Sequence, residues 1–154
     1  MKCTLLVVGK LKKGPLVELE REFLKRLKPL ASLSVIEVAA SRSGTVEQRK
    51  LQEGKALLAK VPSGAALFVL DEHGKEFTSA QFSARLQELA LDGTGSVCIV
   101  IGGPYGLSEE VIGSARVVMR LSSMTFTAGM ARVIAVEQFY RAMAIWKGIP
   151  YHKE

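Results

Sequence analysis

The residues of this chain best suited to chemistry lie in two loops and a tail. Val97 to Val111 reads V-C-I-V-I-G-G-P-Y-G-L-S-E-E-V: an apolar run of strand type, three glycines around Pro104, then a helix capped by Ser108. In open α/β sheets a loop at the carboxyl end of a strand receives the ligand. The loop's composition limits which ligand. A Walker loop requires G-x-x-x-x-G-K-[ST], and no Lys or Arg lies between Val97 and Arg116. The dinucleotide fingerprint requires G-x-G-x-x-G, whereas the spacing here is G-G-x-x-G with Pro104 inside it. Glu109 and Glu110 occupy the first helical turn, where they satisfy the helix dipole and repel phosphate. The loop therefore suits a ligand that is neutral or positive near the glycines. A tight turn that needs glycine for φ > 0 is the alternative reading.

A second loop, L-S-S-M-T-F from Leu121 to Phe126, supplies hydroxyls at Ser122, Ser123 and Thr125. Met124 and Phe126 add apolar surface that, with backbone groups, suits a purine base; an ordinary loop whose apolar residues pack inward is the alternative reading. His152 lies in the terminal G-I-P-Y-H-K-E, and His73 lies in a polar D-E-H-G-K loop that reads as solvent-exposed. Asp71, just past Leu70, either touches a ligand or shapes that turn. Cys3 and Cys98 each sit inside a Val/Ile/Leu run and form no C-x-x-C pair. They read as buried free thiols in a reducing compartment. With two histidines besides, familiar ligand spacings assemble no metal centre.

These loops need elements to position them. Continuous apolar runs mark strands at Cys3–Val8, Leu33–Val38, Ala65–Leu70 and Val97–Ile101, with a fifth at Val117–Leu121. Between them run helical patterns. Pro15 suits a first turn, followed by a stripe of Leu16, Leu19, Phe23 and Leu27 with Glu22 and Arg26 on the wet side. Leu51 and Leu58 mark a second helix ending near Lys60. Thr78 and Gln81 form a capping-box pattern ahead of Phe82, Leu86 and Leu89. Val133, Val136, Tyr140 and Met143 line a long last helix, where Tyr140 and Trp146 read as core or subunit contacts. Strands covered on both faces and alternating with helices predict an α/β domain on a mainly parallel sheet, with helices on both faces. The length of 154 residues fits one domain, residues 1–154, able to fold without disulfide or metal.

Charge is one-sided. Residues 1–60 carry 13 Lys/Arg against 6 Asp/Glu, while residues 61–154 carry 8 against 9. A basic half points to a polyanionic partner, nucleic acid first. Lys10, Lys12, Lys13, Arg42, Arg49 and Lys50 are the best candidates for phosphate contacts. The N-terminus has neither the h-region nor the cleavage site of a signal peptide, and no apolar run reaches bilayer-spanning length, which predicts a soluble, cytoplasmic protein with no membrane partner.

Taken together, V-I-G-G-P-Y-G-L, L-S-S-M-T-F, A-R-V-I-A-V-E-Q-F-Y-R-A and the terminal P-Y-H-K-E resemble the small methyltransferases of the SPOUT superfamily, in particular the ribosomal RNA large subunit methyltransferase H family. The start K-C-T-L-L-V-V-G-K-L-K and L-D-E-H-G-K also fit, so the resemblance covers the whole chain. It implies a C-terminal trefoil knot, a homodimer, and methyl transfer from S-adenosylmethionine to N-3 of a pseudouridine in large-subunit (23S) rRNA. It places cofactor contacts on Leu70, Gly102 and Leu121 through Phe126, with Gly103 and Gly106 shaping the pocket. It places Tyr151 and His152 at the substrate with Arg132 nearby; by their chemistry Tyr151 would orient the base, His152 is a candidate general base, and Arg132 would stabilise developing charge. One departure falls beside these motifs. The family usually has Pro-His ahead of M-x-R-V, where this chain has Thr127-Ala128. A tRNA methyltransferase and a non-catalytic ribosome-associated binder of the same fold are the competing readings.

Overall fold

The computed structural model describes residues 1–153. Five strands, β1 (Lys2–Val8), β2 (Ser32–Val38), β3 (Ala66–Glu76), β4 (Ser96–Ile101) and β5 (Val117–Arg120), alternate with five helices. These are α1 (Pro15–Leu27), α2 (Val46–Leu58), α3 (Ser79–Leu91), α4 (Glu109–Gly113) and α5 (Ala128–Lys147). All pairings are parallel, in the order β2-β1-β4-β3-β5, so every carboxyl end lies along one edge.

Local chemistry sets the helix limits. Thr45 with Gln48 and Thr78 with Gln81 close complete capping boxes on α2 and α3. Ser108 and Thr127 accept from backbone N–H groups to cap α4 and α5. Gly148, at φ 67°, ends α5 in the left-handed region.

Alternate strand residues feed two cores. Leu5, Phe68 and Ile99 face α1, α3 and α5, whose Leu27, Leu86 and Phe139 pack against them. Leu6, Val69 and Val100 face α2 and α4 through Leu57 and Val111. Fully burying such side chains contributes about 1.5–3 kcal/mol each. Both thiols are buried and unpaired. Burial pushes Cys98 up to about 12 and Cys3 well above the usual thiol range, the latter raised further by Cys98.

Three readings need correction. Leu19 is 44% exposed. Glu20, four residues after Leu16 and three before Phe23, takes its place on the buried face of α1. On α2, Leu51 is likewise 48% exposed, and Glu53, Gly54 and Leu57 are buried instead. The D-E-H-G-K stretch is not a separate loop: β3 runs on through it to Glu76. Leu70 and Lys75 both pair with Met119, so residues 71–74 form a bulge against a single residue of β5. Gly74 makes the bulge possible, since a Cβ there would lie 2.5 Å from the Met119 carbonyl carbon.

Candidate active site

Sheet register decides which loops meet. Leu70 of β3 pairs with Ile101 of β4 on one side and Met119 of β5 on the other. The chain leaves these three points as the Asp71–Gly74 bulge, the G-G-P-Y-G loop and the L-S-S-M-T-F loop. A cavity of about 290 Å³ lies between them. Leu70, Gly102, Gly103, Gly106, Leu121, Ser122, Met124, Thr125 and Phe126 line it, while Ser123 does not. Nine of the ten positions expected to hold the cofactor are thus brought together. The sequence also missed part of the wall, to which Glu72, Tyr105, Arg120, Ala128 and Ala131 belong.

The glycines serve the loop itself. A Cβ on Gly102 would meet the Leu107 side chain at 2.8 Å and the Gly106 carbonyl at 3.0 Å. One on Gly103 would meet Glu53 Oε2 at 3.1 Å and Val8 Cγ1 at 3.2 Å. Gly106 has φ +84° with open space around it, so the backbone rather than contact demands glycine there. The Gly106 N–H donates to the Gly103 carbonyl at 3.0 Å, closing a tight turn. In the second loop, Ser122 Oγ accepts from the Met124 N–H at 3.0 Å and leaves Met124 and Phe126 exposed beside the cavity.

Charge at the cavity comes from unforeseen places. Glu109 and Glu110 are exposed on α4 and do not line it, so the acidity ascribed to them belongs to Asp71 and Glu72 of the bulge. Asp71 does two things: it lines the cavity, and its Oδ1 accepts from the His73 N–H at 2.9 Å. His73 points outward, with its side chain 84% exposed, as its polar setting implies.

The basic candidates occupy the same edge. Lys10, Lys12 and Lys13 lie in the exposed loop after β1, and Arg42 lies in that after β2. Lys10 borders a small cleft shared with Gly102 and Ala128, both of which also line the main cavity. Arg49 and Lys50 are half-buried on α2, where Lys50 pairs with Glu47. Arg49 donates to the Gly44 carbonyl at 3.1 Å and lies 5.9 Å from the centre of the Tyr105 ring. It therefore ties the loop after β2 to the glycine loop. Buried Glu53 does the same from below, its Oε1 accepting from the Ser41 N–H at 2.9 Å.

The three residues expected at the substrate are not brought together within the chain. Arg132 is buried between Glu20 and Glu37. Its Nε and Nη2 donate to the two oxygens of Glu20 at 2.5 and 2.9 Å, and its Nη1 donates to Glu37 at 2.7 Å. Burial pulls its pKa down, and the hydrogen bonds and charges of Glu20 and Glu37 together outweigh that, so the net shift is upward. Paired with two carboxylates, Arg132 holds α5 to α1 and β2. Tyr151 and His152 follow α5 and fold back onto its side chains. The Tyr151 hydroxyl donates to Glu137 at 2.9 Å, and His152 Nδ1 lies 3.2 Å from Arg141 Nη1. Burial and the Glu137 contact raise the Tyr151 pKa. Arg141 is 13 residues beyond Ala128 on the same helix, about 20 Å along its axis at 1.5 Å per residue. Neither Tyr151 nor His152 lines its own chain's cavity.

A family model described as "Predicted SPOUT methyltransferase" matches residues 1–152. The chain belongs to the SPOUT methyltransferase family. Full-length relatives of this SPOUT methyltransferase carry a more specific name. The Halothermothrix orenii protein "Ribosomal RNA large subunit methyltransferase H" is 42% identical over 159 residues, covering 99% of this chain and all of that one. The Porphyromonas gingivalis (strain W83) protein of the same name is 41% identical over 157 residues, covering all of both. A probable methyltransferase from Bordetella pertussis shares the fold, with a TM-score of 0.57 at 12% identity, covering 92% of this chain and 96% of that one. Within this SPOUT methyltransferase, the Thr127-Ala128 pair acquires a location: Thr127 caps α5, and Ala128 lines the cavity. Among the described residues no helix is long and apolar enough to cross a membrane.

Proposed function

We propose that this protein is an S-adenosylmethionine-dependent methyltransferase acting on N-3 of a pseudouridine in large-subunit rRNA. We place it in the cytoplasm, working on assembled ribosomes as a homodimer of single-domain, trefoil-knotted chains. The observation that carries this reading is the cavity itself, walled by the bulge of β3 and the loops after β4 and β5 in a chain of this family. Its donor set fits S-adenosylmethionine. Backbone groups of the glycine loop and apolar Leu70, Leu121, Met124 and Phe126 suit the adenosine part. Asp71 and Glu72 suit a sulfonium and an ammonium, and no lysine is present to cradle phosphate.

When bound, S-adenosylmethionine supplies an electrophilic methyl group. The protein's task is then to align the ring nitrogen and remove its proton. The cavity contains no imidazole, since Ala128 stands at its wall. His152 is the base for the imide proton, and Tyr151 orients the pyrimidine ring. That neither tail residue lines its own chain's cavity supports a site completed by the tail of a second copy. The exposed lysines of the loop after β1, with Arg42, hold the RNA backbone beside that site.

The test is transfer of labelled methyl from S-adenosylmethionine to assembled ribosomes, free rRNA or tRNA. Label in ribosomes, recovered as N3-methylpseudouridine, is the expected result; label in tRNA alone overturns the substrate. A second reading, a fold-retaining ribosome binder, is favoured by Ala128, and cofactor binding without transfer to any RNA would establish it. His152→Ala lowers turnover by about 10²–10⁴-fold with little change in cofactor affinity. Unchanged turnover removes it from the mechanism.

A further inference from the structure

We infer that Arg120 is the anchor for the carboxylate at the amino-acid end of the cofactor, an assignment that rests on the cofactor reading above. Three charged residues line the cavity: the acids Asp71 and Glu72, and one base, Arg120. Arg120 ends β5 and pairs in register with Glu76 of β3. Its Nε lies 3.3 Å from Glu76 Oε1, within ion-pair range but without hydrogen-bond alignment. Among the described residues, this Nε is the one buried side-chain nitrogen or oxygen that lacks a hydrogen-bond partner.

Five of the other eight arginines mark the contrast. Arg26, Arg85, Arg116, Arg132 and Arg141 all donate to carboxylates within hydrogen-bonding distance. Arg120 alone combines an unsatisfied donor with a place on the cavity wall. An unsatisfied buried donor is unfavourable, so a ligand that satisfies it gains the difference. Glu76 competes weakly, because its side chain is more than half exposed and solvated.

The pattern of charge selects the ligand group. A guanidinium matches a planar carboxylate with two parallel N–H donors. A phosphate in the same place would also meet Asp71 and Glu72, which outnumber the one cation. A zwitterion meets all three, carboxylate on Arg120 and ammonium toward the acids. The amino-acid end of S-adenosylmethionine is such a zwitterion, with a sulfonium close by. Arg120 therefore orients the sulfonium by fixing the chain that carries it.

The experiment is calorimetric binding, without RNA, of S-adenosylmethionine and of its decarboxylated analogue. The wild-type protein is expected to prefer the carboxylated form. Arg120→Gln, which keeps much of the aliphatic stem, and Arg120→Ala are both expected to lose about 10- to 100-fold in affinity for S-adenosylmethionine. Neither should lose affinity for the decarboxylated analogue, and Arg120→Lys should recover part of the preference. Equal loss for both ligands, or loss for neither, overturns the assignment. So does a variant that binds S-adenosylmethionine normally and loses only rRNA binding, which would give Arg120 to an RNA phosphate. A wild-type protein that binds neither ligand overturns the cofactor reading itself, and this assignment with it.

Discussion

Arg132→Met removes a charge from the interior while keeping an unbranched, flexible side chain, and its cost follows from the three exposures involved. The Arg132 and Glu20 side chains are 8% and 10% exposed, and Glu37 is 32% exposed. Removing one partner of a buried pair costs about 3–5 kcal/mol, because the other charge stays behind. Glu37 is solvated enough to lower its share, so the loss centres on Glu20. A stranded carboxylate takes a proton instead, and from an ordinary pKa near 4.3 that costs about 3.7 kcal/mol at pH 7. The two routes agree on about 3–4 kcal/mol at neutral pH. At pH 5 the protonation route costs only about 1 kcal/mol, so the penalty shrinks as pH falls. With a urea m-value of about 2 kcal/mol/M, the midpoint drops by about 1.5–2 M at pH 7 and by about 0.5 M at pH 5. Circular dichroism at fixed protomer concentration reads this directly, since the stability of a protein proposed to work as a dimer would depend on concentration. A midpoint within about 0.3 M of wild type at pH 7, with activity lost, would return Arg132 to the chemistry and refute the ion-pair argument.

Gly106→Ala is expected to cost about 1–2 kcal/mol in stability through its left-handed backbone alone, and Gly106→Asn less; thermal melts that rank them the other way reject a backbone cause. Gly102→Ala instead pushes buried Leu107 and the Gly106 backbone, so titration should show weaker S-adenosylmethionine binding together with a stability loss of about 1–3 kcal/mol in thermal melts. Lys12→Ala and Lys13→Ala should each lower the slope of log K against log salt for ribosome or rRNA binding by about 1; an unchanged slope removes them from the interface. Asp92 accepts from Thr94 and from Arg116, which depress its pKa to about 2. Its stabilising contribution is complete above about pH 4 and is lost as pH falls toward 2, so Asp92→Asn should flatten that part of the acid limb. A carboxyl titration by NMR with its midpoint near 4 would contradict this.

The parallel sheet was legible because its strands are apolar on both faces, and the cavity because three strand ends in one sheet share an edge. The loops after Ile101 and Arg120 could therefore be paired before any coordinates. What stayed hidden was polar and long-range. Glu20 occupies a helical stripe position, but a glutamate there reads as solvent-facing until its partner, 112 residues on, is known. The bulge of β3 was missed because charged residues disguise a strand. Its signal was Gly74, the one residue that lets two backbones meet. Arg120 looked like the end of a strand, and nothing in its neighbours said that its donors lacked acceptors. Tyr151 and His152 were found by motif, but motif carries no distance, and the separation along α5 needed the helix.

The Arg132 triad also bears on how the protein is made. Glu20 and Glu37 leave the ribosome early, whereas the guanidinium that neutralises them is 112 and 95 residues further along the chain. At about 5–20 residues per second, synthesis leaves Glu20 without its partner for roughly 6–22 s. During that interval α1 and β2 also lack α5, which supplies Val136, Phe139 and Met143 to their core. An early native-like N-terminal half would have to bury carboxylates with no counter-charge, so the nascent chain has little reason to settle before its last helix appears. A protein proposed to modify ribosomes thus completes its own fold only on leaving one.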